Sequence, residues 1–225
     1  SPTKVEGPLT SVVSHITADS RTVQEGSLFI CLVGATVDAH NFVEKAVEDG
    51  AVAIIASKPV TVPEHVAVLY VDDTRQALQD AVPFFYDYPA SKMRMIGVTG
   101  TNGKTTSSFI LENILEKTAR IGTTGNRILD EEFETVNTTP ESLELIKLID
   151  KSVKKGADYF IMEVSSHALQ IGRVDMLKFD SAIFTNLTQD HLDFHKTMEN
   201  YFNAKKKIFS MLRNNKNHTG SGVIN

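Results

Sequence analysis

Short β-rich apolar runs at 28–33, 52–56 and 66–71 alternate with helix-period stretches at 42–49 and 74–86, which predicts a small α/β unit at the start of the chain. Asp87-Tyr-Pro-Ala-Ser-Lys92 then breaks the rhythm with a proline and polar residues, and sets a domain boundary at 88/89. Beyond it the pattern reads strand 94–99, loop, helix 105–117, strand 119–124, helix 141–155, strand 158–164, strand 180–185, helix 197–212 and a last strand opening near Val223. Strands alternating with helices predict a mostly parallel sheet with helices on both faces and ligands at the carboxyl ends of the strands. The expected fold is thus α/β. A small domain over 1–88 precedes a P-loop-type domain over 89–225, whose pattern stops before the sheet is complete. Between Lys117 and Thr118 the helix and the next strand leave almost no turn, where about 2–6 residues are usual, so either residues are skipped there or the turn is compact.

The bulk numbers narrow the partners. With 41% hydrophobic and 23% charged residues the composition is that of a soluble globular protein, and a net charge of −5 gives no electrostatic reason to expect nucleic acid. The single cysteine, Cys31, lies inside the apolar run 28–33 and reads as a buried thiol in a reducing compartment. No stretch of about 18 apolar residues occurs and the amino terminus is not signal-like, so a cytoplasmic monomer without membrane contact is expected.

The richest segment is Gly97-Val-Thr-Gly-Thr-Asn-Gly-Lys-Thr-Thr106, an apolar strand running into glycines and then into a helix. Glycines let main-chain N–H groups and the positive helix end approach phosphates; Lys104 would bring charge to the β/γ-phosphates and Thr105 a hydroxyl to Mg²⁺. The usual spacing would need glycine where Val98 stands, and Gly97 is one residue early, so the loop is a variant built on Gly100 and Gly103. ATP is the ligand this loop implies.

Glu163 ends the run Tyr159-Phe-Ile-Met162, so a carboxylate emerges as a buried strand leaves the sheet, where it can hold Mg²⁺ or serve as a cap or ion-pair partner. Ser165-Ser166-His167 lacks a third group and does not read as a hydrolase triad. His191 and His195, four apart, would share one helix face, yet such a pair is more often turn and cap chemistry than a metal site. Thr138-Thr-Pro-Glu141 reads as a helix start, with Thr139 as N-cap and Pro140 at the first helical position.

The helix 197–212 holds an unexpected lysine. At about 100° per residue, Met198, Tyr201, Phe202, Ile208, Phe209 and Leu212 all fall within about 60° of Lys205, whereas Lys206 and Lys207 point away and read as solvated. Lys205 either snorkels its amine to the edge of the stripe or is buried, in which case its pKa falls and the neutral amine can react with CO₂ to give a metal-binding carbamate.

Gly100-Thr-Asn-Gly-Lys-Thr105, Asn137-Thr-Thr-Pro140, Glu163-Val-Ser-Ser-His167, Asn186-Leu-Thr-Gln-Asp-His-Leu-Asp193 and Ala204-Lys205 occur here in one order. Together they closely resemble the Mur ligases, and within that family the members that add the third peptide residue in peptidoglycan synthesis. The resemblance spans nearly the whole chain, including Asp19-Ser-Arg21 and Gly34-Ala-Thr-Val-Asp38. It implies that Gly100, Thr101, Asn102, Gly103, Lys104, Thr105 and Thr106 bind ATP, that Thr105 and Glu163 hold one Mg²⁺, and that His191 and a carbamylated Lys205 serve a second. It also implies that Ser20 and the 35–37 loop meet the UDP end of a UDP-N-acetylmuramoyl-dipeptide, while Asn137, Thr138, Thr139, Ser165 and Arg173 hold its peptide. Ile171 stands where some relatives carry glutamine. A third domain, which in the family carries the incoming amino acid, is not represented. The implied reaction is ATP-dependent amide formation with lysine or diaminopimelate through an acyl phosphate. Folylpolyglutamate synthetase, a ligase of the same superfamily, and a non-catalytic nucleotide-binding module are the alternatives.

Overall fold

The computed structural model describes residues 1–34, 37–135, 137–215 and 218–225. Contacts divide the chain into Ser1–Phe85 and Tyr86–Asn225, three residues before the expected boundary.

The first unit is a five-stranded sheet of β1 (Lys4–Glu6), β2 (His15–Thr17), β3 (Ser27–Ile30), β4 (Ala51–Ala56) and β5 (Ala67–Tyr70), in the order β1-β5-β4-β3-β2. The pairs β2–β3, β3–β4 and β4–β5 are parallel, and β1 adds antiparallel to β5 at the edge. Helices α1 (Val43–Glu48) and α2 (Thr74–Phe85) complete the unit. Residues of β4 are buried along almost its whole length, as an Ala/Val/Ile run covered on both sides must be. Cys31 lies in the core with Phe29, Val43, Ala46, Ile54 and Val68, and burial pushes its thiol up to about 12, leaving it an inert apolar filler. Strands β1 and β2 escape the pattern reading because three residues are too few to show a period.

The second unit holds β6 (Arg94–Thr99), α3 (Lys104–Ile114), β7 (Thr118–Gly122), β8 (Gly125–Ile128), β9 (Glu131–Phe133), α4 (Ser142–Lys155), β10 (Tyr159–Glu163), α5 (Ser166–Gln170), β11 (Ser181–Phe184), α6 (Leu192–His195), α7 (Met198–Ser210), the ribbon β12 (Asn214–Asn215) and β13 (His218–Thr219), and β14 (Ser221–Ile224). Its main sheet runs β14-β11-β6-β10-β7-β8-β9. The first five strands are mutually parallel, as expected. The antiparallel extension β7–β8–β9 is a correction: its short strands carry Arg127, Glu131 and Glu132, and no apolar alternation marks them.

Several boundaries also move: β7 ends at Gly122 rather than 124, and α7 at Ser210 rather than 212, which leaves Leu212 beyond the helix. Helix α3 ends at Ile114 rather than 117, and Leu115 to Lys117 form a compact turn closed by Lys117 in a left-handed conformation, so the reading of a skipped segment is not needed. The final strand opens at Ser221, two residues before Val223. Helix α4 follows its sequence closely. Leu145, Ile146, Leu148 and Ile149 form the buried face, Lys154 and Lys155 meet the negative helix end, and Gly156 at φ +85° ends it with an amide bonded to the Ser152 and Val153 carbonyls.

Gly97 has a packing role. It lies inside β6, and a Cβ there would come within 2.9 Å of Ile208 Cδ1 on α7. Its missing side chain lets α7 approach the strand that feeds the phosphate loop, which brings Lys205 to that loop.

Candidate active site

Strand β6 delivers the chain into a loop that only glycine fits at two points. Gly100 sits at φ +142° and Gly103 at φ +83°, the latter as the cap of α3. At Gly100 an added Cβ would fall 1.9 Å from Thr185 Oγ1, because the segment leaving β11 packs directly on the loop. That segment clamps it. The Thr101 amide donates to the Asn186 carbonyl at 3.0 Å, the Asn102 amide to Asn186 Oδ1 at 3.0 Å, and Asn186 Nδ2 returns a bond to the Asn102 carbonyl at 3.1 Å. A neighbouring strand end thus holds the loop from outside.

Glu163, at the end of β10, is fully buried. Its Oε2 accepts from Thr105 Oγ1 at 3.1 Å and Thr123 Oγ1 at 3.0 Å, and its Oε1 accepts from the Thr123 amide at 3.2 Å. Gly122 is required beside it, since a Cβ would stand 2.2 Å from Oε1. Here a buried carboxylate meets neutral donors and, among the described residues, no ion-pair partner. A hard cation suits such a position. Among the described residues no group of three or more His, Cys, Asp and Glu side chains could hold a metal ion, so a divalent cation would complete its shell from hydroxyl, water and phosphate oxygens, as Mg²⁺ commonly does. Thr123 was not foreseen. It follows directly on β7, the strand paired with β10, and its place at that carboxyl end was the available signal.

Two lysines converge on the loop. Lys104 Nζ donates to the carbonyls of Gly100 and Thr101, each at 3.0 Å, and burial lowers its pKa against the raising influence of Glu163 and Asp190. Lys205 is 1% exposed, donates to the same Gly100 carbonyl at 2.7 Å, and lies 4.6 Å from the centroid of the Tyr201 ring. The buried reading of Lys205 therefore stands over snorkelling. Burial first, and then the nearby Lys104, push its amine down to about 7, with Asp190 opposing. Lys207, expected to be solvated, instead bonds Asp175 Oδ1 at 2.7 Å and the Leu169 carbonyl at 3.1 Å, because α5 packs across that side of α7.

The peptide-side candidates cluster around the end of β10. Thr139, buried, donates to the Glu163 carbonyl at 2.9 Å and accepts from the Ser165 amide at 3.0 Å. It is not the N-cap of α4; Glu141 holds that place and Pro140 precedes the helix, since the Thr139 hydroxyl is drawn to the strand end instead. Thr138 Oγ1 pairs with Thr123 Oγ1 at 3.0 Å, and Asn137 is exposed beside them. Ser165 caps α5 by accepting from the Ala168 amide at 3.1 Å. Arg173 donates to the Thr139 carbonyl at 3.0 Å and pairs with Glu141 at 2.5 Å. Thr106 sits exposed in the first turn of α3.

The histidine pair divides. His191 is the left-handed cap of α6, half-exposed, next to Asp190 and 6.0 Å from the Tyr201 ring. His195 is buried and shares a 2.9 Å hydrogen bond with Ser166 Oγ. One face of a helix does not present both. In the first unit, Ser20 opens a short 3-10 turn capped by Asp19, whose carboxylate also pairs with Arg21. Of the 35–37 loop, residues 35 and 36 lie outside the described residues.

The chain belongs to the Mur ligase family: the Mur ligase middle domain matches residues 98–225 and the Mur ligase family catalytic domain matches residues 12–86. Within that family it is similar to the UDP-N-acetylmuramoyl-L-alanyl-D-glutamate--2,6-diaminopimelate ligase of Fusobacterium nucleatum, 52% identical over 87% of this chain and 41% of the relative. It is 50% identical to the Bacillus cereus protein of the same name, over 92% of this chain and 42% of that one. A solved structure titled with that ligase name superposes with a TM-score of 0.72 at 30% identity, covering 88% of this chain and 41% of the other. The chain spans about two-fifths of the length of these curated relatives. Among the described residues no helix is long and apolar enough to cross a membrane.

Proposed function

We propose that the protein is the cytoplasmic, ATP-dependent ligase that joins diaminopimelate to UDP-N-acetylmuramoyl-L-alanyl-D-glutamate. The observation that carries the reading is the convergence of Lys104, Lys205 and Glu163 with Thr105 on one glycine loop. The names of the relatives at about half identity favour diaminopimelate over lysine, and the match of the first unit to the Mur family speaks against a folate-type ligase.

A carboxylate is a poor electrophile, so the γ-phosphoryl of ATP passes to the terminal carboxylate of the peptide, giving an acyl phosphate and ADP. The amine of the incoming amino acid then attacks the acyl carbon, the C–O bond breaks with its electron pair on the departing phosphate, and the proton lost by the nitrogen passes to that phosphate. The amides from Gly103 through the first turn of α3 to Thr106, which the Asn186 clamp does not occupy, bind the phosphates, and Lys104 supplies positive charge to the group in transfer. Thr105 and Glu163 would hold one Mg²⁺, and His191 with a carbamylated Lys205 a second, supplying neutralisation of phosphate charge when bound. Lys205 fits that role because a buried amine brought to about 7 is in part neutral near physiological pH and able to take up CO₂. Asn137, Thr138, Thr139, Ser165 and Arg173 orient the peptide, and the domain up to residue 88 binds the UDP end through Ser20.

Assaying the complete protein for ADP release with UDP-N-acetylmuramoyl-L-alanyl-D-glutamate and each of diaminopimelate and lysine tests this. Turnover with diaminopimelate supports the reading; nucleotide binding without amide formation with any amino acid leaves the non-catalytic module in its place.

A further inference from the structure

The buried Ser166–His195 pair takes no part in the chemistry just described. Ser166 is 3% exposed and His195 4%, and 2.9 Å separates Ser166 Oγ from His195 Nε2. A nucleophile and base are held at such a distance, but no carbonyl can reach a hydroxyl so enclosed, so the pair does not form a hydrolytic site. Burying two polar side chains costs desolvation that an apolar pair would avoid, and the return is a directional bond between two elements.

The elements it joins are informative. Ser166 directly follows Ser165, whose amide is bonded to Thr139 and whose hydroxyl caps α5. His195 ends α6, its carbonyl accepts from Asn200 Nδ2 at 3.0 Å, and its ring lies 5.1 Å from that of Tyr201. Tyr201 in turn bonds Thr101 of the phosphate loop, hydroxyl to hydroxyl, at 3.2 Å. Thr101 Oγ1 already donates to the Thr188 carbonyl and accepts from the Thr188 amide, so by proton count Tyr201 is the donor. A continuous set of contacts therefore runs from the Ser165 turn through Ser166, His195 and Tyr201 to Thr101.

We propose that His195 is a positioning residue which, through Ser166, holds the Thr139–Ser165 turn where it receives the peptide of the UDP-linked substrate. It touches neither nucleotide nor reacting atoms. The proposal rests on the ligase reading above, and it assigns His195 to the peptide subsite in preference to the nucleotide subsite, because its hydrogen bond goes to the turn whereas only ring packing faces Tyr201.

The test is a double-mutant cycle in the complete protein with His195→Phe, Ser166→Ala and both together, followed by titration with UDP-N-acetylmuramoyl-L-alanyl-D-glutamate and, separately, with a non-hydrolysable ATP analogue. Each single variant is expected to weaken the peptide substrate about tenfold, the double variant by about the same tenfold, and ATP-analogue affinity by less than about twofold. His195→Gln, which keeps a nitrogen within reach of Ser166, should recover most of the loss. Equal weakening of both ligands together with a lowered melting temperature would mark a purely structural role and overturn the proposal, as would an additive, about hundredfold loss in the double variant. Ser166→Ala removes one small hydroxyl and keeps the test decisive where His195→Phe does not fold. A wild-type protein that binds neither ligand would remove the ligase reading itself, and the proposal with it.

Discussion

Lys205 and Gly100 meet through a 2.7 Å hydrogen bond from the buried ammonium to the loop carbonyl, 105 positions apart in sequence. The amine that the family resemblance marks for carbamylation is thus already seated at the glycine loop. Lys205→Ala is expected to leave the complete enzyme nearly inactive, with partial recovery on adding a short carboxylate that replaces the lost oxygen ligands. Full activity of the variant without any additive would refute the assignment.

The same residue predicts a pH effect on stability. Its pKa falls from the ordinary 10.5 to about 7, chiefly through burial. Below pH 7 the amine is charged in folded and unfolded chains alike; between about 7 and 10.5 the unfolded chain holds the proton and the folded one does not. Stability therefore rises with pH across that window. Against Lys205→Met, the wild-type melting temperature should gain several degrees between pH 7 and pH 10, and a flat difference would show that burial does not depress the amine.

Lys104→Ala should abolish ATP-dependent ligation with the fold intact, because the side chain bonds only loop carbonyls among the described residues and the proposed mechanism assigns it the charge at the transferred phosphoryl group. The check is ADP release beside a circular dichroism spectrum; near-normal turnover would sink the phosphate-loop reading.

Glu163→Gln keeps the shape of the buried side chain and removes its charge. Turnover should fall by about 10²-fold or more, with a higher Mg²⁺ requirement, while the Thr105 and Thr123 hydroxyls retain an oxygen to bond. An unchanged Mg²⁺ dependence would separate Glu163 from the metal.

Gly100→Ala puts a methyl into Thr185 Oγ1 and a side chain on a φ of +142°. A loss of about 1–3 kcal/mol in stability is expected from the backbone alone, with weaker ATP binding besides. Denaturant unfolding and nucleotide titration measure the two effects separately.

Ser20→Ala should raise KM for the UDP substrate with kcat little changed, since the UDP end is remote from the reacting carboxylate. Equal affinity of wild type and variant in a direct titration would leave Ser20 only its place in the turn that Asp19 caps.

The sequence by itself determined the order of the principal strands and helices, the glycine loop before α3 and the apolar stripe around Lys205, because each is a local pattern: a β-rich run, glycines before a helix, a 3.6-residue period. It could not separate a snorkelling lysine from a buried one, since that depends on what faces the stripe, and Gly97 decides it by letting α7 close on β6. Thr139 has the local signature of a helix cap, yet the end of β10 competes for its hydroxyl and wins. Thr123 on Glu163, Ser166 on His195 and Tyr201 on Thr101 join residues 29 to 100 positions apart. Such pairings arise from strand order and helix packing, and only the tertiary structure, which fixes both, decided them.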